Sequence, residues 1–231
     1  IAAKTGCKLL SEWSNARLER GAGRVFVNRV PYPIDIALKV LEPFKRIVLV
    51  GARAPIGFFA YPDKPAILTR DGAQITTLAH SGADLTAALE ALRDATGAED
   101  TAPAHVVEAS MPDRPTGPIN LDTLAAVIAR AIPEQAIVVD ESVTTGRAFS
   151  PATKGAPAHT WLNNCGGSIG YAMPAAIGAA IACPDRKVMC MSGDGSAMYT
   201  VQSLWTMARE NLDITVLIFA NRSYQILRGE L

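Results

Sequence analysis

Two hard oxygen donors stand 27 positions apart in this 231-residue chain: the carboxylate of Asp194 and the side-chain amide of Asn221. Asp194 lies inside Gly193-Asp194-Gly195-Ser196. Glycines on either side of the acid let the backbone turn sharply and leave amide N–H groups bare for a close anionic oxygen. A helix expected from about Ser196 would turn its positive end to the same place, which suits phosphate. Mg²⁺ takes a few hard protein oxygens and fills its remaining positions with phosphate oxygens and water. Asp194 and Asn221 are therefore read as the protein half of a Mg²⁺-diphosphate cradle.

The flanking residues must bring the two donors together. Val188-Met189-Cys190-Met191 is an unbroken apolar run, as expected of a strand buried on both faces. Past the turn, Met198, Val201, Leu204, Trp205 and Ala208 recur at helical spacing and predict one apolar helix face. Ile214 to Ala220 predicts a second buried strand that ends at Asn221. This is a β-α-β unit with both donors at the carboxyl ends of parallel strands, the edge where open α/β sheets bind ligands. A Gly-Asp-Gly by itself is also an ordinary turn; the strands and the placed Asn argue for the cradle.

Composition narrows the class. Hydrophobic residues make up 49% and charged residues 19%, which suits a globular chain with a substantial core. Lys and Arg number 22 against 22 Asp and Glu, so nothing favours nucleic acid or an anionic membrane. The cysteines, Cys7, Cys165, Cys183 and Cys190, lack metal-site spacing and are expected to be buried free thiols of a cytoplasmic protein. No signal peptide opens the sequence. The longest apolar stretch, Ile169 to Cys183, is too short to span a bilayer and rich enough in Ala and Gly for a close-packed helix.

The first part of the chain reads as alternating helices and strands. IAAKTGCKLL is the end of a helix stopped at Gly6 and followed by a strand, so a piece of a longer chain is expected. An irregular charged stretch follows around Glu19, Arg20 and Arg24. Pro33 to Phe44 predicts a helix with Ile34, Ala37, Leu38 and Leu41 on one face. Arg46 to Gly51 and Pro65 to Thr69 predict strands, and Asp84 to Ala95 an amphipathic helix. This order implies an α/β fold with a parallel, Rossmann-like layer over residues 1–97. Gly51 to Gly57 follows a strand but lacks GxGxxG spacing, which disfavours a dinucleotide site.

Residues 98–118, rich in Pro and Ala, predict an extended linker, and a second α/β domain is expected over 119–231. Asn120 caps a helix over Leu121–Ile132, and Ala136 to Asp140 predicts a strand ending at Glu141 and Ser142. Thr144 to Arg147 opens a short helix. WLNNCGGSIGYAMPAAIGAAIAC then gives a glycine-rich turn leading into a helix of small residues. Its glycines could simply permit tight packing. Tyr224 to Leu227 predicts a further helix. His80, His105 and His159 are assigned no role.

The GDG turn, the following helix and strand, and the placed Asn resemble the thiamine diphosphate (ThDP) motif. GDGSAMYTVQSLWTMARENL is similar to acetolactate synthases and benzoylformate decarboxylases in particular. The glycine-rich run and its AMPAAIG helix supply a second match in the right order. The resemblance implies three-layer parallel-sheet domains. It implies Mg²⁺ held by Asp194, Asn221 and the backbone carbonyl of Ser223, with Gly193, Gly195, Ser196 and Tyr224 at the cofactor. Gly167 would give a carbonyl to the aminopyrimidine, and Ile169 would wedge the cofactor into its bent shape. Glu141, Ser142, Ile226 and Leu227 become candidates for the substrate rim, with a solvated loop or a core as their plainer readings. One departure is Ala220 where the family has a second Asn. The aromatic pair Phe58-Phe59 stands near where benzoylformate decarboxylases have a catalytic His.

The function implied is decarboxylation of a 2-oxo acid, followed by protonation of the enamine or its transfer to a second carbonyl. FAD is possible in such a family but not indicated. The activating Glu is expected in an amino-terminal domain, so no catalytic residue is assigned here and these residues alone are expected to be inactive. A homo-oligomer, dimer or tetramer, is expected of the whole protein. The alternatives are a non-catalytic subunit of the same fold and a nicotinamide-dependent dehydrogenase.

Overall fold

The computed structural model describes residues 1–228, so residues 229–231 of the expected second domain lie outside the description. Along the chain come α1 (Ala2–Thr5), β1 (Leu10–Ser11), β2 (Arg17–Arg20), β3 (Asn28–Arg29), α2 (Ile34–Leu41), β4 (Arg46–Val50), β5 (Gln74–Ala79) and α3 (Leu85–Ala95). There follow α4 (Leu121–Ala131), β6 (Ile137–Glu141), α5 (Phe149–Ala152), β7 (His159–Asn163), α6 (Ala172–Ala182), β8 (Val188–Gly193) and α7 (Asp194–Ala197). Last are α8 (Ser203–Arg209), β9 (Ile214–Phe219) and α9 (Gln225–Arg228). The chain divides into two compact units: residues 1–13 with 27–104, and residues 14–26 with those from 105 onward.

The first unit holds two parallel pairs, β1 with β3 and β4 with β5. Gly6 ends α1 with φ +74°, the left-handed cap expected of it. Ile34, Ala37 and Leu41 bury the face of α2 that the spacing predicts. The strand expected at Pro65–Thr69 is absent; only an isolated bridge, Ile56 with Ile67, forms there. The strand lies later, at β5, whose polar QITT stretch carries no apolar run to announce it. In the same unit Trp13, Tyr32 and Phe58 stack with centroids 4.7–6.2 Å apart, and Phe58 meets Phe59 edge-on at 4.7 Å. This pair is thus part of an aromatic cluster.

The second unit is built on one sheet in the order β2-β7-β6-β8-β9, parallel except for β2. Alternation along the central strands separates two cores. Val138, Met189 and Met191 face Ile128, Ile132, Phe149 and Trp161, whereas Ile137, Val139, Val188 and Cys190 face Ala172, Met173, Ala176 and Met207. Helices therefore cover both faces, the three-layer arrangement that parallel strands require. Each fully buried aliphatic side chain contributes about 1.5–3 kcal/mol relative to exposure. The helix of small residues, α6, packs on the second core through Ala172, Met173, Ala176 and Ala180. Asn120 caps α4 through a reciprocal pair with Thr123, at 2.9 Å in each direction.

Several sequence expectations change here. The charged stretch around Glu19 is not irregular: it is β2, antiparallel to β7 at the sheet edge, and Thr160 donates to both Glu19 oxygens at 3.1 Å. Burial alone would raise the Glu19 carboxyl, but hydrogen bonds from Arg17 and Thr160 outweigh it and hold it below the ordinary range. The linker does not run free throughout, because Val106 bridges Val25, Val107 is buried and Ser110 bonds Gly155. β9 is a half-exposed edge among the described strands rather than a buried one. Of the cysteines only Cys190 is buried, while Cys7 and Cys165 are exposed. Burial pushes the Cys190 thiol up to about 12, with the nearby Glu141 carboxylate adding to the effect.

Candidate cofactor site

Parallel register gathers the donors. Glu141 pairs with Ser192 across β6 and β8, and Gly193 pairs with Phe219 across β8 and β9. Asp140 pairs with Asn163 across β6 and β7. The residues that follow these strand ends therefore share one edge of the sheet: Asn164, Ser142, Asp194 and Asn221. Asp194 opens α7 and is half-buried, and its carboxylate takes part in no hydrogen bond or ion pair among the described residues. Asn221 folds back so that its Oδ1 accepts the Ser223 N–H at 2.9 Å, which aims the amide oxygen and leaves its second lone pair open. The buried hydroxyl of Ser223 has no partner among the described residues.

That donor set fits a hard cation beside phosphate: one carboxylate, one amide oxygen and main-chain oxygens. Groups of three or more His, Cys, Asp or Glu suited to a metal are absent among the described residues, so any ion here must rely on mixed oxygen ligands. The helix dipole contributes less than the sequence implies. The expected continuous helix is interrupted: α7 covers only Asp194–Ala197, and α8 begins at Ser203. An anion at Gly193–Ser196 would meet first-turn amides rather than the end of a long helix.

The apolar face expected on that helix also turns outward. Met198 is 69% and Trp205 63% exposed, and Val201 and Leu204 are exposed too, while Ser203 and Met207 face the core. The stripe therefore spans the turn between α7 and α8 as well as α8 itself, and the Arg209 guanidinium lies over its Trp205 ring at 4.5 Å.

The glycine-rich turn approaches the same edge. Gly167 has φ +64° and Gly170 φ +92°, conformations that favour glycine. A Cβ on Gly170 would lie 2.7 Å from the Tyr199 Cβ, and Thr200 Oγ1 donates to the Gly170 carbonyl at 2.9 Å. The turn is thus tied to the segment that follows α7. Gly167 is exposed and Ile169 half-buried.

Glu141 and Ser142 sit at the strand end as expected, yet each is only 3% exposed, so neither belongs to a solvated loop. Glu141 accepts from the Tyr171 and Ala172 amides at 3.1 Å each, which caps α6. Ser142 bonds back to Asp140 Oδ1 through its amide at 2.9 Å. Burial raises the Tyr171 phenol to about 12, helped by the neighbouring Cys165 and Glu141. Tyr224 and Leu227 are exposed and Ile226 half-buried, so the pair Ile226-Leu227 is not a closed core. Sequence reasoning missed Asn164, whose side chain organises the whole turn; an Asn directly before Cys-Gly-Gly is the signal, since Asn side chains mimic turn backbone. It also missed His159, which is buried with Nδ1 2.7 Å from the Pro157 carbonyl.

Comparison with known proteins defines the class first. Residues 142–231 match the family model described as thiamine pyrophosphate enzyme, C-terminal TPP binding domain. A Mycobacterium tuberculosis protein named as an acetolactate synthase large subunit, IlvX, is then 48% identical over 236 residues, covering 100% of this chain and 44% of that protein. A benzoylformate decarboxylase of Pseudomonas aeruginosa is 35% identical over 112 residues, 48% of this chain and 21% of its own length. Among solved structures, the Rhodococcus jostii RHA1 thiamine diphosphate-dependent 4-hydroxybenzoylformate decarboxylase superposes with a TM-score of 0.77 at 25% identity. That match covers 99% of this chain and 46% of the other. The chain spans less than half the length of these relatives.

Proposed function

We propose that the whole protein is a ThDP- and Mg²⁺-dependent enzyme that decarboxylates a 2-oxo acid. The remaining fragment is then protonated, as in a benzoylformate decarboxylase-like lyase, or joined to a second carbonyl, as in an acetolactate synthase-like carboligase. The observation that carries this reading is the register of β8 against β9, which sets Asp194 and Asn221 at neighbouring strand ends. When bound, thiamine diphosphate supplies the carbanion-stabilising chemistry. The chain's own residues do the holding. Asp194, Asn221 and the Ser223 carbonyl bind Mg²⁺, and Gly193, Gly195 and Ser196 let the diphosphate approach the backbone. Gly167, Ile169 and Tyr224 orient the rest of the cofactor, and Ile226 and Leu227 border the substrate. The match of residues 142–231 to the TPP-binding domain model supports the cofactor, and the relatives' names support the substrate class.

The protein is further proposed to be a cytoplasmic homo-oligomer. The outward Met198, Val201, Leu204 and Trp205 support that reading, because a subunit contact would cover them. No described helix is long and apolar enough to cross a membrane. Calorimetric titration of the full-length protein with ThDP, with Mg²⁺ and then with EDTA, tests the cradle. Mg²⁺-dependent binding and CO2 release from an aliphatic or aromatic 2-oxo acid are expected. Binding without turnover would favour a non-catalytic subunit, the reading that Ala220 beside Asn221 keeps in play. Absence of Mg²⁺-dependent ThDP binding sinks the enzyme reading.

A further inference from the structure

The glycine-rich turn is held from inside by two side chains that the cradle does not use. Asn164 Oδ1 accepts the amides of Gly166 at 3.1 Å and Ser168 at 3.2 Å. Its Nδ2 donates to the Ser168 carbonyl at 2.7 Å and, at 3.5 Å, to Glu141 Oε1. One side-chain amide thereby replaces the ladder partners that a turn outside any sheet lacks. Glu141 then takes hold of the far end of the turn, through the Tyr171 and Ala172 amides. Ser192 Oγ, from the strand that leads to Asp194, donates to Glu141 Oε2 at 3.4 Å. A carboxylate 3% exposed thus joins β6, β8, both ends of the turn and the start of α6. Between the fixed ends Gly167 stays exposed, and its carbonyl accepts no hydrogen bond among the described residues.

A buried carboxylate is costly unless its lone pairs are filled, so this network has a strong preference for one geometry. An arrangement that fixes both ends of an exposed turn and leaves its middle carbonyl open is suited to presenting that carbonyl. We propose that Asn164, anchored on Glu141, is a positioning residue that sets the Gly167 carbonyl and Ile169 against the cofactor, separately from the Asp194 cradle. The proposal rests on the ThDP reading above. It assigns the turn's precision to one amide–carboxylate pair rather than to the glycines, which only permit the shape.

The test uses the full-length protein with Asn164→Ala and, as a milder variant, Glu141→Gln. In the absence of cofactor, amide exchange at Gly166 and Ser168 should rise by about tenfold in Asn164→Ala while β6 and β8 stay protected. Affinity for Mg²⁺ with inorganic pyrophosphate should stay within about twofold, because the cradle is not touched. Turnover number with saturating ThDP should fall by about a hundredfold, the cost of misplacing a reacting group by an ångström or so. Glu141→Gln keeps one acceptor oxygen and should show the same pattern, with a loss of about tenfold in turnover. Should Asn164→Ala not fold, Glu141→Gln carries the same readouts. Unchanged exchange in either folded variant overturns the brace. Raised exchange with turnover within about twofold of wild type overturns the positioning role and leaves the ThDP reading intact. A wild-type protein indifferent to ThDP overturns that reading and the positioning role together.

Discussion

Two turns at the same sheet edge are held in opposite ways. The turn from Asn164 to Gly170 is braced by side chains at both ends: Asn164 within it, Glu141 beneath it and Thr200 against Gly170. The Gly193–Ser196 turn, between the buried end of β8 and the four residues of α7, is held by little more than a Ser192 Oγ bond to the Gly193 carbonyl at 3.3 Å, and the Asp194 carboxylate has no partner among the described residues. Asn221, its neighbour across the sheet, is organised among the described residues by its own local turn. Where the protein supplies every partner, the turn is a fixed support. Where it leaves oxygens open at a strand end, water or a bound ligand can supply the remaining partners. The contrast separates a part that shapes the site from a part open to the cation and diphosphate proposed above.

The comparison can be broken most decisively at Asp194. Asp194→Ala should weaken Mg²⁺-dependent ThDP binding by more than about a hundredfold, the upper loss typical of a metal's outer-shell partners, with the apo protein's melting temperature unchanged. A drop in apo stability, read by thermal unfolding, would mean that the carboxylate supports the fold and the contrast is false. Next comes the junction of the two turns. Gly170→Ala adds a Cβ 2.7 Å from the Tyr199 Cβ at a φ of +92°, so denaturant unfolding should show a loss of about 2–4 kcal/mol. Little change would show that the turns are not tied to one another.

Smaller effects sharpen the picture of the support beneath them. Burial, reinforced by the positive charge of Arg20, lowers the His159 pKa against the opposing pull of the Pro157 carbonyl. A histidine whose folded pKa lies below its unfolded value takes up protons on unfolding, so stability should fall as pH drops below about 6.5. His159→Gln should flatten that slope in pH-dependent unfolding; an unchanged slope would assign acid sensitivity elsewhere. The smallest change is expected furthest from the edge. Asn120→Ala removes the α4 cap and should cost about 1 kcal/mol in chemical denaturation, without altering cofactor affinity.

Legibility in the sequence followed the range of the interactions involved. The run at Val188–Met191, the turn at Asp194 and the position of Asn221 are each announced by neighbouring residues; β8 and the turn stand as expected, while β9 forms in its expected place but half-exposed. Asn120 could be read as a cap because a cap acts within one helical turn. Arg17–Arg20 could not be read as a strand, since its alternation of charge gives no apolar signal and its partner lies in β7. The apolar spacing from Met198 to Trp205 was legible as a stripe but not in its direction or in the break before α8, because periodicity marks an amphipathic face without saying what covers it. Glu141 was legible as a strand-end acid, whereas its capping of α6 depends on where a helix 31 residues later begins.

The placement of β2 has a consequence for how the chain must fold. Glu19 meets Thr160 across 141 intervening steps of sequence, and the chain leaves the second unit after Phe26 and rejoins it at His105. The two crossing points are joined by the Phe26 amide on the His105 carbonyl. During synthesis, Arg17–Arg20 emerges long before any strand it can pair with. Closing that loop adds an entropic cost that grows only with the logarithm of its length, but it places a non-local step late in assembly. Until His159–Asn163 is made, the nascent protein carries an early segment with no partner. Pairing of this edge cannot precede synthesis of β7, which is the order of events that the threading imposes.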